Sequence, residues 1–386
     1  MIIKETEKLT LDDLTIIPAA TSHVLHRSEC NPYYNIEGYG KFLPVIAAPM
    51  GALINERNYT VFSDNGITPV IPRTVSYEIR LELLKKDAAF VALSLEEAKM
   101  LFDTDNPAVT NKCRICIDMA QGHLSSLYNC IFSIKQRWGS NVTVMSGNIA
   151  NPDAYEMYCK VRCDYVRVGI GNGSQCTTSC LTAVHYPLAS LLDDISHIRE
   201  KIIKDYMDDR FRDFTDRPVC TKIVADGGIK SYADIIKALG LGADYVMVGK
   251  PFAHCTEAAE PIYQYTGKSF FPDYVPEASV HYYSDKDYIP KSWKRKYYGM
   301  STHKAQQLIN ENSLCPCPNF KLKGEEGISE EIEVNTTLKT WVNGFTDAFR
   351  SAMSYADCND VSDFGPAKVN FVKISNRSFA FYQKKF

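Results

Sequence analysis

Between about residue 40 and residue 250, short and wholly apolar runs alternate with stretches whose apolar positions recur every three or four residues. The short runs are PVIAAPM, TPVIP, FVALS, ICIDMA, VTVMSG, YVRVGIG, KIVADGG and YVMVG. Apolar at nearly every position, they predict strands buried on both faces, as in a parallel sheet covered by helices. Leu127, Ile131, Ile134 and Trp138 fall at helical spacing, and Gly139 predicts the stop. Asn151 and Pro152 predict the start of a helix that runs to about Val161, and Ser231 predicts the cap of another carrying Ile235, Ile236 and Leu239. Leu191, Leu192, Ile195 and Ile198 read as a core stripe.

Repetition of units about 20 to 30 residues long predicts a (β/α)8 TIM barrel, with residues 1–386 as a single domain. A doubly wound sheet is the alternative, but the G-x-G-x-x-G that should open its first unit is missing. Barrels carry their chemistry in the loops at the C-terminal ends of the strands, where the glycines and polar residues of this chain cluster. Two stretches break the rhythm. Residues 199–218 extend a helix with a charged insertion, and residues 262–335 are rich in Tyr, Lys, Ser and Pro without periodicity. The second is too long for an ordinary connection and predicts an active-site cover or flap, or a partly disordered stretch.

A formal charge of −3 on 386 residues, with Lys and Arg scattered, argues against binding to a nucleic-acid backbone. Lys4, Glu5, Glu7 and Lys8 interrupt the N-terminus before an apolar core forms, and no run approaches the roughly 18 apolar residues of a membrane helix. The expectation is a soluble, cytoplasmic protein without a membrane partner. The thirteen cysteines then read as reduced thiols. Cys113 and Cys116 lie in or beside a strand, where residues three apart face opposite sides, and Cys315 and Cys317 lack a second ligand pair, so neither pair predicts a metal site. Cys180 reads as a packing residue.

The segment VGIGNGSQCTTS, residues 168–179, leaves a strand through three glycines and presents Ser174, Cys176, Thr177 and Thr178 on a turn. Glycines permit positive φ and close approach of backbone to an anion or ion, and the cysteine is thereby displayed as a nucleophile. This loop resembles the catalytic loop of the IMP dehydrogenase and GMP reductase family, whose pattern is close to G-x-G-x-G-S-x-C-T-T. The resemblance continues in order through LTLDDLTIIPA, PVIAAPM, ICIDMAQGH, SGNIA, VADGGI, YVMVGKPFA, YYGMST, FRSAMS and FVKIS.

It implies Cys176 as the nucleophile at C2 of a purine mononucleotide. Ser174, Gly227, Gly228, Gly249 and Tyr297 would surround the 5′-phosphate, with Lys250 nearby, and Asp226 would hold the ribose hydroxyls. Met50 and the turn Gly299, Met300 and Ser301 would line the base. Asp118 and Asn148 would face the nicotinamide of NADPH or NAD, and the carbonyls of Gly171, Gly173 and Cys176 would hold a potassium ion. A homotetramer is also implied. The plain alternatives are a strand-end carboxylate at Asp118, a turn at Asp226, a solvated acidic face for Glu326 in GEEGISEEIE, and a helix cap or cofactor contact for His123.

Dehydrogenases of the family activate water with an Arg-Tyr pair on a flap after the Y-x-G-M turn, whereas no arginine stands between Met300 and Glu326 here. Reductases handle ammonia with a threonine and glutamate pair, matched by Thr178 and Glu326, which some dehydrogenases also carry. HYP at 185–187, serine at 301 and the absence of a regulatory insertion between the early strands agree with the reductase pattern. The resemblance therefore implies NADPH-dependent reductive deamination of GMP or a close analogue to IMP. The alternatives are NAD-dependent oxidation of IMP to XMP and a nucleotide-binding barrel without catalysis. The chain departs from the pattern at Gly51, Asn172, Gln175 and Lys250, and the last two predict an altered substrate, such as a deoxynucleotide or a modified base.

Overall fold

The computed structural model describes residues 7–102, 112–207, 220–264, 273–284 and 289–374. Eight parallel strands close into a barrel: β1 (Val45–Ala47), β2 (Thr68–Ile71), β3 (Phe90–Leu93), β4 (Cys113–Asp118), β5 (Val142–Ile149), β6 (Tyr165–Val168), β7 (Lys222–Asp226) and β8 (Tyr245–Val248). Each pairs with its sequence neighbours, and β8 closes on β1 through Val246 and Val45. Every residue of β1, β2, β3 and β8 is buried, which is why those runs carry no alternation: one face meets the barrel interior and the other the helices.

The helices that follow the strands are α1 (Tyr59–Asp64), α2 (Tyr77–Lys85), α3 (Leu95–Phe102), α4 (Ser125–Trp138), α5 (Ala154–Lys160), α6 (Leu188–Met207), α7 (Tyr232–Gly240) and α8 (Leu338–Tyr355). Gly139 ends α4 at φ +54°, a conformation that disfavours other residues. At the start of α7, Ser231 and Asp234 satisfy each other's backbone N–H groups as a capping box. The α5 start lies two residues beyond Pro152, and Asn151 Oδ1 accepts from Asp153 N–H at 3.0 Å. The charged insertion expected up to residue 218 lies outside the described residues beyond Met207.

Phe90, Tyr165 and Tyr245 are the first residues of β3, β6 and β8, and their rings meet edge to face at 5.6 Å. Tyr34, from the hairpin of strands Tyr34–Ile36 and Gly40–Phe42, adds a ring 5.2 Å from Tyr245. This aromatic layer fills the end of the barrel where the strands begin. The end where they finish carries the loops.

The aperiodic stretch enters between β8 and α8. It contains an antiparallel sheet of β9 (Ile262–Gln264), β10 (Asp273–Tyr274), β11 (Trp293–Tyr298) and β12 (Ser329–Glu333), in the order β10-β9-β11-β12, and a helix at His303–Glu311. Strands of two to six residues are too short to print a period on the sequence. Two buried arginines fasten this sheet and its helix to the barrel. Arg295 donates to the carbonyls of Ala253, Cys255, Thr256 and Glu260, and burial lowers its pKa to about 10. Arg80 forms a bidentate pair with Glu97 at 2.9 and 2.7 Å, and also reaches the Asn312 carbonyl at 3.1 Å.

No helix among the described residues is long and apolar enough to cross a membrane. All thirteen cysteines are free. Cys180, expected to pack, is instead exposed in the short helix Thr178–Thr182, which buries none of its residues.

Candidate active site

The loop after β6 is built on glycine. Gly169 sits at φ +133°, and a Cβ there would lie 2.1 Å from the Asp226 carbonyl oxygen, so two strand ends approach at a distance only glycine allows. Asn172, one of the departures from the family pattern, donates its amide to the carbonyls of Ile170 at 3.3 Å and Tyr186 at 3.2 Å and so braces the loop. Cys176 N–H donates to Gly173 O at 3.0 Å, which turns the chain and presents the half-buried thiol.

The same segment pairs with the chain just before β12. Cys176 and Gly327 form an antiparallel bridge, Thr177 N–H donates to Glu326 O at 3.0 Å, and Ile328 N–H donates to Gln175 O at 3.1 Å. That pairing carries Glu326 to the nucleophile. The Cys176 thiol donates to Thr178 Oγ1 at 3.2 Å, and Thr178 Oγ1 donates to Glu326 Oε2 at 2.7 Å. A continuous path for a proton therefore joins sulfur to carboxylate.

At the mouth of the barrel lies a chain of charges. Arg167, on β6 and buried, donates to Asp118 Oδ1 at 2.6 Å and, through Nε and Nη2, to Asp226 Oδ2 at 3.1 and 2.9 Å. Arg73 reaches the other oxygen of Asp118 at 3.2 Å. Burial pushes the Asp118 carboxyl up, but the two guanidinium groups outweigh it and hold its pKa below the ordinary value. Burial likewise opposes the charge on Arg167, and Asp226 and Asp118 more than restore it. Asn148 spends its amide hydrogens on Asp226 Oδ2 at 2.7 Å and Gly169 O at 2.8 Å. It thereby orients Asp226 and keeps a carbonyl oxygen to accept from a ligand.

The third part is a glycine-lined end. Gly227 and Gly228 follow β7 with φ of +95° and +77°, and Gly249 follows β8 just ahead of the short helix Lys250–Ala253. Loops after the seventh and eighth strands beside a short extra helix are a frequent phosphate site in this fold. A Cβ on Gly249 would stand 2.7 Å from the hydroxyl of Tyr297, which itself lies 3.3 Å from Met50 Sδ. Burial raises the Tyr297 pKa, so the phenol stays a neutral donor. Lys250 Nζ pairs with Glu330 Oε1 at 2.7 Å, and Gln175 Nε2 donates to that same oxygen at 2.5 Å.

All three parts border one cavity of about 770 Å³. Every site residue named from the sequence lines it: Cys176, Thr178 and Glu326; Ser174, Asp226, Gly227, Gly228, Gly249, Lys250 and Tyr297; Met50, Gly299, Met300 and Ser301; Asp118 and Asn148; and Gly171 and Gly173. His123 also lines it and accepts from Ala150 N–H at 3.3 Å, while α4 takes its cap at Leu124. Cys113 and Cys116 are buried in the barrel wall, and burial raises each thiol to about 12. Cys315 and Cys317 are exposed and do not line the cavity, and no three metal-ligating His, Cys, Asp or Glu side chains cluster among the described residues.

Sequence reasoning missed Arg73, Arg167 and Glu330. Arg167 had a signal: a lone charge inside the buried run YVRV demands a partner. Arg73 and Glu330 had none.

Residues 111–381 match the family model described as IMP dehydrogenase / GMP reductase domain. An inosine-5′-monophosphate dehydrogenase of Chlorobaculum tepidum is 35% identical over 262 residues, 68% of this chain and 45% of that protein. One from Borreliella burgdorferi is 28% identical over 68% of this chain and 55% of that protein. A GMP reductase of Bacillus licheniformis is 28% identical over 71% of this chain and 79% of its own length. The chain thus spans about half the length of the dehydrogenases it matches.

Proposed function

The chain belongs to the IMP dehydrogenase / GMP reductase family, and from that premise we propose that it reduces GMP, or a close analogue, to IMP with NADPH through a covalent bond between Cys176 and purine C2. The observation that supports the covalent step is the relay of Cys176, Thr178 and Glu326, with links of 3.2 and 2.7 Å, and the reductase direction rests on the lack of any arginine between Met300 and Glu326.

In this reading the thiol proton passes by way of Thr178 to Glu326 as sulfur adds to C2. The same proton returns through Thr178 to the 2-amino group, the C2–N bond breaks, and ammonia leaves. A nicotinamide held against Asp118, Asn148 and His123 would supply hydride to C2, which would let the C–S bond break and the thiol be reprotonated. One GMP, one NADPH and two protons give IMP, NADP⁺ and ammonium.

The glycine end holds the 5′-phosphate, with Ser174 and Tyr297 as neutral donors. Asp226, its Oδ2 fixed by Arg167 and Asn148, offers Oδ1 to the ribose hydroxyls. Met50 and Met300 bound the purine. Asp118, Asn148 and His123 form the flank that fits a nicotinamide: Asn148 has an amide oxygen free of the two bonds that its NH2 makes, and Asp118 is locked between two arginines. The potassium loop fits in part, since Gly171 holds a positive φ while the Gly173 carbonyl already takes the Cys176 N–H and keeps one lone pair for an ion. Residues 262–335 act as the cover of this site within a single domain.

Mixing the full chain with GMP and NADPH, or with IMP and NAD, and following nicotinamide absorbance tests the reading. Oxidation of NADPH only with GMP supports it. NADH formation with IMP replaces it by the dehydrogenase, and absence of turnover together with no nucleotide adduct on Cys176 by mass spectrometry overturns catalysis altogether.

A further inference from the structure

We propose that Lys250, Glu330 and Gln175 form a charge-exchange lock on the phosphate end of the cavity, in which Glu330 holds the Lys250 ammonium until a phosphate dianion replaces it. The proposal rests on reading the glycine end as a phosphate subsite and adds to it a cation that lines the same cavity.

Lys250 directly follows Gly249 after β8 and lines the same cavity as Gly227 and Gly228. Its ammonium lies 2.7 Å from Glu330 Oε1, and each side chain is about one third exposed, at 32% and 33%. Glu330 stands opposite Tyr297 in the β11–β12 register, so the lock and the phosphate-facing phenol share one cross-strand pair. The pair is therefore exposed enough to part, and its lysine already lines the cavity that holds the glycine end.

Gln175 makes the arrangement more than a surface ion pair. A carboxylate only accepts, so the amide nitrogen of Gln175 must be the atom that meets Glu330 Oε1. Its Oε1 is left buried and without a partner, although the residue lines the cavity and is only 6% exposed. An unmet acceptor one residue from the nucleophile is positioned to take a donor from an incoming ligand or from a displaced lysine N–H. Two departures from the family pattern, Gln175 and Lys250, thus converge on a single carboxylate oxygen. Their common effect is on reading the charge of the phosphate group, with Glu330 as the competitor that an uncharged nucleoside fails to displace.

Titration calorimetry of the full chain with GMP, guanosine and inorganic phosphate tests the lock. Lys250→Met is expected to weaken GMP and phosphate by about tenfold, the size of one charge-assisted contact, while guanosine changes by less than about twofold. Glu330→Gln keeps the shape but frees the lysine, and should tighten GMP and phosphate by a few-fold. Lys250→Arg should retain most of the wild-type affinity and shows that the charge, rather than the fold, is being read. Unchanged GMP and phosphate binding in Lys250→Met, equal weakening of guanosine, or looser phosphate binding in Glu330→Gln would each overturn the lock. Phosphate binding that follows this order in a chain without turnover on GMP or IMP keeps the lock and removes the reductase reading; phosphate that binds nowhere removes the lock.

Discussion

Thr178 Oγ1 lies 2.7 Å from Glu326 Oε2, although 148 positions separate the two residues in the chain. The contact exists because the nucleophile loop and the segment before β12 pair as backbone at Cys176 and Gly327. A side-chain relay thus depends on a strand-like pairing between two loops.

Removal of either partner should cut turnover without abolishing nucleotide binding. Thr178→Val and Glu326→Gln are each expected to lower kcat by about a hundredfold to ten-thousandfold, the range for loss of a general acid or base. Both variants should still bind GMP, which titration calorimetry reads, while the adduct on Cys176 forms more slowly because the thiol has lost its proton route. A Glu326→Gln enzyme with wild-type kcat would remove this carboxylate from the chemistry.

Arg167 is buried between two carboxylates, and replacing it leaves Asp226 without its cation and Asp118 with Arg73 alone. Arg167→Met should cost about 3–5 kcal/mol of stability, as is usual for breaking a buried pair. Urea unfolding of the two proteins measures the difference, and a cost below 1 kcal/mol, the ceiling typical of exposed pairs, would show that water reaches Asp118 and Asp226 freely.

Asp118 should make stability depend on acid. Its folded pKa lies below the ordinary value of about 3.9, so its contribution is complete above that pH and is lost as pH falls through the lower folded value. The gap in urea midpoint between wild type and Asp118→Asn should therefore be constant from neutral pH down to about 5 and narrow below about 4. A gap that stays constant into strong acid would contradict this.

Gly169→Ala should damage the site from beneath. The added Cβ would meet the Asp226 carbonyl oxygen at 2.1 Å, and the φ of +133° is closed to alanine. Backbone strain of about 1–3 kcal/mol should appear in unfolding, with weaker nucleotide binding as the Asp226 strand end shifts. Normal GMP affinity in this variant would mean that Asp226 is not a ribose contact.

The barrel was legible because its strands are buried on both faces and so print as unbroken apolar runs, with glycine and serine marking α4 and α7. The nucleophile loop was legible because its chemistry is consecutive, from Gly169 to Thr178. The position of Glu326 came from resemblance. Within GEEGISEEIE nothing local separates Glu326, which meets Thr178, from Glu330, which meets Lys250, since a register formed with a loop 148 residues earlier decides between them. Arg73 and Asp118 find each other only when β2 and β4 curve into one barrel, which no linear pattern reveals.

Backbone pairing of Gln175, Cys176 and Thr177 with Glu326, Gly327 and Ile328 ties the attacking sulfur and its proton acceptor into one mechanical piece. Any displacement that lifts residues 326–328 away from the mouth also unmakes the route by which the thiol is activated. The relay is therefore assembled only where this pairing holds, and its integrity belongs to the two loops jointly.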